Sequence, residues 1–391
     1  MASATQLTDG PAVDRPVSPP GPASSGPAGR VSRLAHPLGW YVGSRLLVLA
    51  VAALAVAVRP GVTAARLVSA WDAGWYLNLV KHGYPTAVPD VAGHAAKTPL
   101  AFFPLFPMLA RAVAWLFHVP NAVATTGVSV VFGAVATVLV ARLAARLTDE
   151  HRARRATVLF CLFPGSAVFS LGYSESLMIA LAAGCLLALL DRRWWLAGLT
   201  AALATATRPN AAGLVAACAV ASAAAILQRR EWRSLVAPLL APAGIVGFLG
   251  YLGRHTGEPG VWFRVQREAW HQEFDFGLNT AKTIWNFIVD PLGDSHQIAV
   301  MVLLVFTLAC TAAFLSMRRG WGWPVTVYTL SVVVLATAST IDIVRPRAIL
   351  TAFPLFIGLG ALTSRRGYLL LCGLFAAGLA ALVFFPFWAS P

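Results

Sequence analysis

The sequence predicts an all-α polytopic membrane protein, and three observations carry that prediction. Of 391 residues, 58% are hydrophobic and only 12% are charged, against about 25% charged in ordinary soluble domains. Apolar runs recur from Trp40 almost to the C-terminus, and short arginine clusters separate many of them. A soluble core stops growing at roughly 250–300 residues. A chain with a mean hydropathy of +0.70 therefore needs a bilayer as its solvent.

The net charge of +14 would suggest nucleic-acid binding in a soluble protein. Here the arginines sit between apolar runs, where positive residues fix topology by staying in the cytoplasm, and no nucleic-acid partner is expected. The five cysteines all lie inside apolar segments without CxxC spacing, so neither a disulfide framework nor a metal site is expected.

Taken in order, residues 1–33 are rich in Pro, Gly, Ser and Ala and read as a disordered cytoplasmic tail without the h-region of a signal peptide. The rest, 34–391, reads as one transmembrane domain. Its first span, about Leu38 to Val58, follows Arg30 and Arg33, which places the N-terminus in the cytoplasm. A polar outer loop over 59–99 contains WDAGWYLNLVKHGYP. Trp71, Trp75 and Leu79 share one helical face there, which predicts an interfacial helix in the headgroup plane. Arg111 falls in the middle of the apolar run 99–117; a guanidinium is costly at the bilayer centre, so this run is expected to be interfacial or re-entrant.

The runs 156–170, 174–190, 194–207 and 210–227 are short against the roughly 17–25 residues of a span, which predicts broken or tucked helices. Longer candidates are 122–146, 234–253, 297–316, 323–341, 348–363 and 367–388, giving about 10–12 transmembrane helices in all. The basic clusters His151–Arg155, Arg192/Arg193, Arg229/Arg230/Arg233, Arg318/Arg319 and Arg365/Arg366 are assigned to the cytoplasm. The intervening turns then all face outward: 59–99, FPGSAVFSLGYSES, ATRPN, the long loop 254–296, and DIVRPR. Every motif-like segment thus collects on one side.

Those turns hold the candidate chemistry. Asp72 could take a proton from a substrate hydroxyl or merely cap its helix, and Tyr76 lies on the same stripe. Glu175, at the mouth of an apolar helix, is a functional candidate or ordinary N-terminal chemistry. Arg208 interrupts an apolar run before a helix-breaking proline. With Arg345 and Arg347 it forms an outward set of arginines against the positive-inside bias, suited to phosphate oxygens of a headgroup or carrier; pairing of the last two with Asp342 is the structural alternative. The loop EPGVWFRVQREAWHQEFDFG offers Trp262, Gln266, Trp270 and His271 as sugar contacts, though its composition also describes an interfacial anchor. No Walker loop, GxGxxG or HExxH occurs, so a lipid-linked donor suits the chain better than a nucleotide sugar.

The ordered set WDAGWYLNLVKHGYP, AFFPLFPMLARA, LFPGSAVFSLGYSESL, ATATRPNAAGL, WFRVQREAW and RPRAILTAFPLF resembles the PIG-V-like mannosyltransferases. These are bacterial relatives of GPI mannosyltransferase II in the GT-C class, and the resemblance spans about residues 40–365. It implies a GT-C-type helical bundle in the plasma membrane. It further implies a polyprenyl-phosphate-mannose donor, a glycan or glycolipid acceptor and an extracytoplasmic site. Asp72 matches the catalytic carboxylate, which would drive inverting transfer. Glu175 matches the tyrosine–serine–glutamate segment, Arg208 and Arg347 match basic positions suited to the carrier phosphate, and Gln266 and Trp270 match the long loop.

The chain departs from the pattern in two places. The family's Arg-Tyr is Arg347-Ala348 here, and a second carboxylate beside Asp72 is missing, so neither a metal nor any other cofactor is indicated. Two alternatives stay open at this point: a lipid-linked-sugar transporter, and a non-catalytic scaffold of an envelope-glycan complex.

Overall fold

A computed structural model describes residues 27–291, 295–317, 320–338 and 345–385. Among them the chain is helical nearly throughout; the only strands form a two-residue hairpin pairing Asp90–Val91 with His94–Ala95. Helix α1 (Pro27–Val58) begins inside the stretch read as a tail, whose first 26 residues lie outside the described ones. It stops where Arg59 is followed by Pro60 and by Gly61 at φ +78°, a combination that cannot continue a helix. Helices α2 (Ala64–Val68) and α3 (Asp72–His82) follow in the first loop, then α4 (Leu105–Phe117), α5 (Asn121–Leu147) and α6 (Glu150–Leu162).

A 3₁₀ turn over Pro164–Ser170 leads into α7 (Glu175–Leu190), and the two are bent by 106°. Proline at the first position of the turn and the absence of a continuous ladder make this a broken span, as the short runs predicted. Next come α8 (Trp194–Thr205), α9 (Ala212–Arg229), α10 (Val236–Leu240) and α11 (Ala243–Thr256), followed in the long loop by α12 (Val261–Glu268) and α13 (Leu278–Val289). The chain closes with α14 (Ser295–Met317), α15 (Trp323–Thr337), α16 (Pro346–Thr351), α17 (Pro354–Leu362) and α18 (Arg365–Phe384).

Among the described residues six segments are long and apolar enough to cross a membrane, and the bent pair makes up to seven. Three shorter apolar helices, α4, α8 and α15, join them. At 1.5 Å per residue the 13 residues of α4 reach only about 20 Å of a roughly 30 Å hydrocarbon core. The run 234–253 passes as a span over Trp232–Thr256, although Pro242 breaks it into pieces. The expected run 348–363 divides into α16 and α17 ahead of Pro354.

The core is built by α5 on α7, α7 on α8, α9 on α15, and α17 on α6 and α14, largely through alanines that let backbones approach. The interior also takes in an arginine that the sequence reading passed over. Arg45 of α1 is buried and donates to the Ser166 carbonyl (2.5 Å), to Ser166 Oγ (2.9 Å) and to Ser170 Oγ (3.1 Å). These bonds offset part of its desolvation and lash α1 to the 3₁₀ turn.

The two ends of the bundle differ in chemistry. At one end the basic turns interlock: Arg146 pairs with Asp191 at 3.8 Å, Arg192 with Glu231, and Arg155 donates to the carbonyls of Thr363 (2.6 Å) and Ser364 (3.1 Å). Arg318 and Arg319 lie outside the described residues. At the other end α3 packs on α4 and α5. Part of its tryptophan face is covered by protein. Leu79 is fully buried, and Trp75 stacks on Phe102 at 6.1 Å and meets Trp270 edge-on at 5.6 Å. The long loop folds back over α3, and aromatic contacts with protein replace those anticipated with headgroups.

Candidate active site

Four chain breaks converge at this second end, and each supplies one charged side chain. Asp72 is the first residue of α3, after Trp71 in the left-handed region at φ +50°. Its backbone N–H donates to the Tyr173 hydroxyl (3.3 Å), and its carboxylate makes no cap. Glu175 opens α7 directly after the bend and is 1% exposed. Arg208 adopts extended backbone between α8 and a second 3₁₀ turn, Pro209–Ala211, because the proline forbids the helical conformation before it. Arg347 is the second residue of α16, which rests on the Pro164–Ser170 turn. That docking requires a glycine: a Cβ on Gly165 would collide with the Pro346 carbonyl.

Arg347 Nη1 binds Asp72 Oδ2 and lies 3.8 Å from Glu175 Oε1. Arg208 Nη1 is 3.0 Å from the same Glu175 oxygen, an ion pair whose geometry is not that of a hydrogen bond. It donates instead to Ser174 Oγ at 3.1 Å, and Ser174 Oγ is 2.6 Å from the Tyr76 hydroxyl. Two carboxylates and two guanidiniums thus alternate, with Ser174 and Tyr76 closing the chain.

Burial alone would raise the Asp72 carboxyl, but Arg347, Arg208 and Arg345 outweigh it and hold the pKa below the ordinary carboxylate value. Burial pushes the Tyr76 hydroxyl up to about 12, with Arg208 opposing, so Tyr76 keeps its proton. Burial, then Arg347, draws the Arg345 guanidinium down to about 10.

A cavity of about 210 Å³ opens on this array. Asp72 is the one carboxylate among its described lining residues, against the cations Lys97, Arg208, Arg345 and Arg347. Tyr76, Gln266 and Trp270 also line it, so seven of the ten residues singled out in the sequence come together here. Glu175 does not reach the cavity and stands behind the arginines. Gln266 Nε2 donates to the Ala101 carbonyl at 3.4 Å. The Trp270 indole N–H is buried without a partner among the described residues, and Lys97 Nζ lies 5.1 Å from its ring.

His271 is exposed and does not line the cavity, and Asp342 lies outside the described residues. Trp262 faces an adjoining cavity of about 410 Å³, which shares Pro209, Gln266 and Gln272 with the first. Acids of the long loop are engaged in structure: Glu258 grips Arg264 through two 2.6 Å bonds, and Glu268 accepts from the Ala95 N–H at 2.9 Å.

Sequence reasoning missed Lys97, Thr207, Gln272 and Tyr173. Lys97 carried one usable signal: it is one of three lysines in an arginine-rich chain and directly precedes TPLAFFP.

Residues 56–236 match the mannosyltransferase (PIG-V) family. The PIG-V segment contains Asp72, Tyr76, Glu175 and Arg208, while Gln266, Trp270, Arg345 and Arg347 lie beyond it and reach the site by folding. The resemblance read from the sequence is thereby met over this segment. No curated protein matches the chain in sequence. Among solved structures, it is similar to ArnT from Cupriavidus metallidurans bound to undecaprenyl phosphate, with 15% identity, 88% of this chain covered and a TM-score of 0.49. It is also similar to the oligosaccharyltransferase of Archaeoglobus fulgidus, with 12% identity, 88% of this chain covered and a TM-score of 0.46. The chain spans 63% and 55% of the lengths of those two proteins.

Proposed function

We propose that this chain is a membrane glycosyltransferase of the GT-C class that moves mannose from polyprenyl-phosphate-mannose to a hydroxyl of an extracytoplasmic lipoglycan or glycoprotein. The observation that carries the reading is the cavity in which Asp72 stands among Lys97, Arg208, Arg345 and Arg347. Such a site offers one base and a surplus of positive charge for a phosphate. The match of residues 56–236 to a mannosyltransferase family supports the sugar. Support for a lipid-linked donor comes from an almost wholly apolar groove of about 460 Å³. Val48, Ala52, Leu67, Trp71 and Leu382 are among its lining residues, and Trp71 is the residue before Asp72.

In this reading the ionised Asp72 carboxylate accepts the proton of the acceptor hydroxyl. The hydroxyl oxygen attacks the anomeric carbon from the face opposite the phosphate, and the bond from that carbon to the phosphate oxygen breaks with inversion. The leaving polyprenyl phosphate gains the electron pair. Its charge therefore grows through the transition state, and cations stabilise that state more than the bound donor. Arg347, which holds Asp72 in the resting protein, can turn to the phosphate and release the base. The interlocked arginine turns at the opposite end support, by the positive-inside rule, an extracytoplasmic position for the cavity.

The test is transfer from radiolabelled polyprenyl-phosphate-mannose in membranes carrying wild type or Asp72→Asn at matched expression. Label moved by wild type alone supports the reading. Label moved equally by both removes Asp72 from the chemistry, and label moved by neither, with other lipid-linked sugars also inert, rejects the transferase.

A further inference from the structure

A second large cavity lies at the opposite end from the candidate active site. It is a cleft of about 750 Å³ where α1, α5 and α6 meet, lined by His36, Arg142, Arg146, Glu150 and Arg154 with Leu34, Pro37, Val138 and Ala141 beneath. Two of its arginines are engaged within the protein. Arg146 pairs with Asp191 at 3.8 Å, and Arg154 takes up Glu150, the one acid among the described lining residues, at 3.2 Å. Arg142 is different: among the described residues it has neither an ion pair nor a hydrogen bond.

Arg142 is exposed and stands near headgroup level, because the 27 residues of α5 outrun the roughly 30 Å hydrocarbon core. It lies five residues before the end of α5 at Leu147, which at 1.5 Å per residue is about 7–8 Å inside the helix end. The helix is one of the six long apolar segments. A guanidinium held there is stabilised when an anion meets it. No carboxylate of the cleft is left to do so.

We propose that this cleft binds the headgroup of an anionic phospholipid from the leaflet at the basic end of the bundle. The phosphate would sit on Arg142, with His36 and Arg154 beside it and the acyl chains along Leu34, Val138 and Ala141. The cleft combines a free cation at headgroup depth with an apolar floor. That combination selects an amphiphile over a free ion, which has nothing to place on the floor. Positive charge near an anionic membrane surface attracts lipid diffusely; a built site instead binds one lipid with defined stoichiometry.

The test is native mass spectrometry of the full chain, released from detergent after incubation with phosphatidylglycerol, phosphatidylcholine or inorganic phosphate. Wild type is expected to retain one phosphatidylglycerol and to lose phosphatidylcholine at the same collision energy. Arg142→Gln should weaken retention about tenfold, and Arg142→Lys should restore most of it. Thermal unfolding of each variant, monitored in parallel, establishes that the fold persists. Equal retention of both lipids, unchanged retention by Arg142→Gln, or displacement of phosphatidylglycerol by millimolar inorganic phosphate overturns the proposal. None of these readouts depends on glycosyl transfer, so the site stands or falls apart from the proposed activity.

Discussion

Arg347 and Asp72 form an ion pair between positions 275 residues apart, and the same guanidinium lies 3.8 Å from Glu175. One cation therefore compensates the proposed base and its buried neighbour together. The pair is largely hidden from solvent, with side-chain exposures of 10% and 14%, so its electrostatics are poorly screened.

This arrangement fixes a pH dependence. The folded pKa of Asp72 is depressed, so the pair contributes stability that is fully present above the ordinary carboxylate range. That contribution is lost as pH falls through the depressed value. In Arg347→Gln the burial remains and the largest opposing charge is gone, so the Asp72 pKa rises. The acid limb of the kcat/KM profile should move to higher pH in this variant. An acid limb that stays in place would show that Asp72 is not the group being titrated.

Glu175 tests positioning rather than contact with substrate. Glu175→Gln leaves Arg208 without its carboxylate, and breaking a buried pair by removing one partner costs about 3–5 kcal/mol. Thermal unfolding in detergent should report that loss. At permissive temperature the donor KM should rise more than kcat falls, because freed arginines lose their placement. A variant as stable as wild type would mean the pair is solvated in the membrane.

Gly165→Ala addresses how α16 is delivered. The new Cβ meets the Pro346 backbone, and overpacking of this kind costs about 1–3 kcal/mol. Transfer activity should fall along with stability, since Arg347 rides on α16. The control is Gly127→Ala on α5, where a Cβ meets nothing within 4 Å; it should be neutral or stabilise by about 0.5–1 kcal/mol. Equal behaviour of the two variants in thermal unfolding would show that the contact is not tight.

Trp270→Phe isolates the unpartnered indole N–H. If that donor meets a sugar or phosphate oxygen, its removal costs about 0.5–1.5 kcal/mol, which corresponds to a KM rise of roughly 2- to 13-fold with kcat unchanged. Trp270→Ala should do more, because it also removes the edge-on contact with Trp75 and the ring beneath Lys97. Unaltered KM in Trp270→Phe would place the substrate elsewhere in the cavity.

Much of this architecture was legible in the residues because bilayer chemistry writes itself into composition and run length. The broken span around FPGSAVFSLGYSES followed from apolar runs too short to cross and from Pro164. The gathering of motifs at one end followed from the arginine clusters. What escaped is long-range. The face of Trp71, Trp75 and Leu79 looked like a lipid-facing stripe because its spacing is helical. Only the fold shows that Phe102 and, from the long loop, Trp270 cover Trp75. Helical spacing places side chains on one face but does not say what covers that face. Arg347 looked like a partner for Asp342 or a phosphate, since nothing local points from residue 347 to residue 72. Arg45 passed unnoticed because its partners are serines and carbonyls rather than an acid.

The chain separation in the site also sets an order of events during synthesis. A polypeptide emerges from its N-terminus, and the two carboxylates lie in its first half, whereas Arg347 belongs to the late helix α16. A nascent chain that has not reached residue 345 holds Asp72 and Glu175 with Lys97 and Arg208 to balance them. Until α16 settles against the Pro164–Ser170 turn, the half-made site lacks the two cations, Arg345 and Arg347, that give the finished cavity its surplus of positive charge. The final helices thus act as a seal on a cleft that must stay wet while the chain is being made.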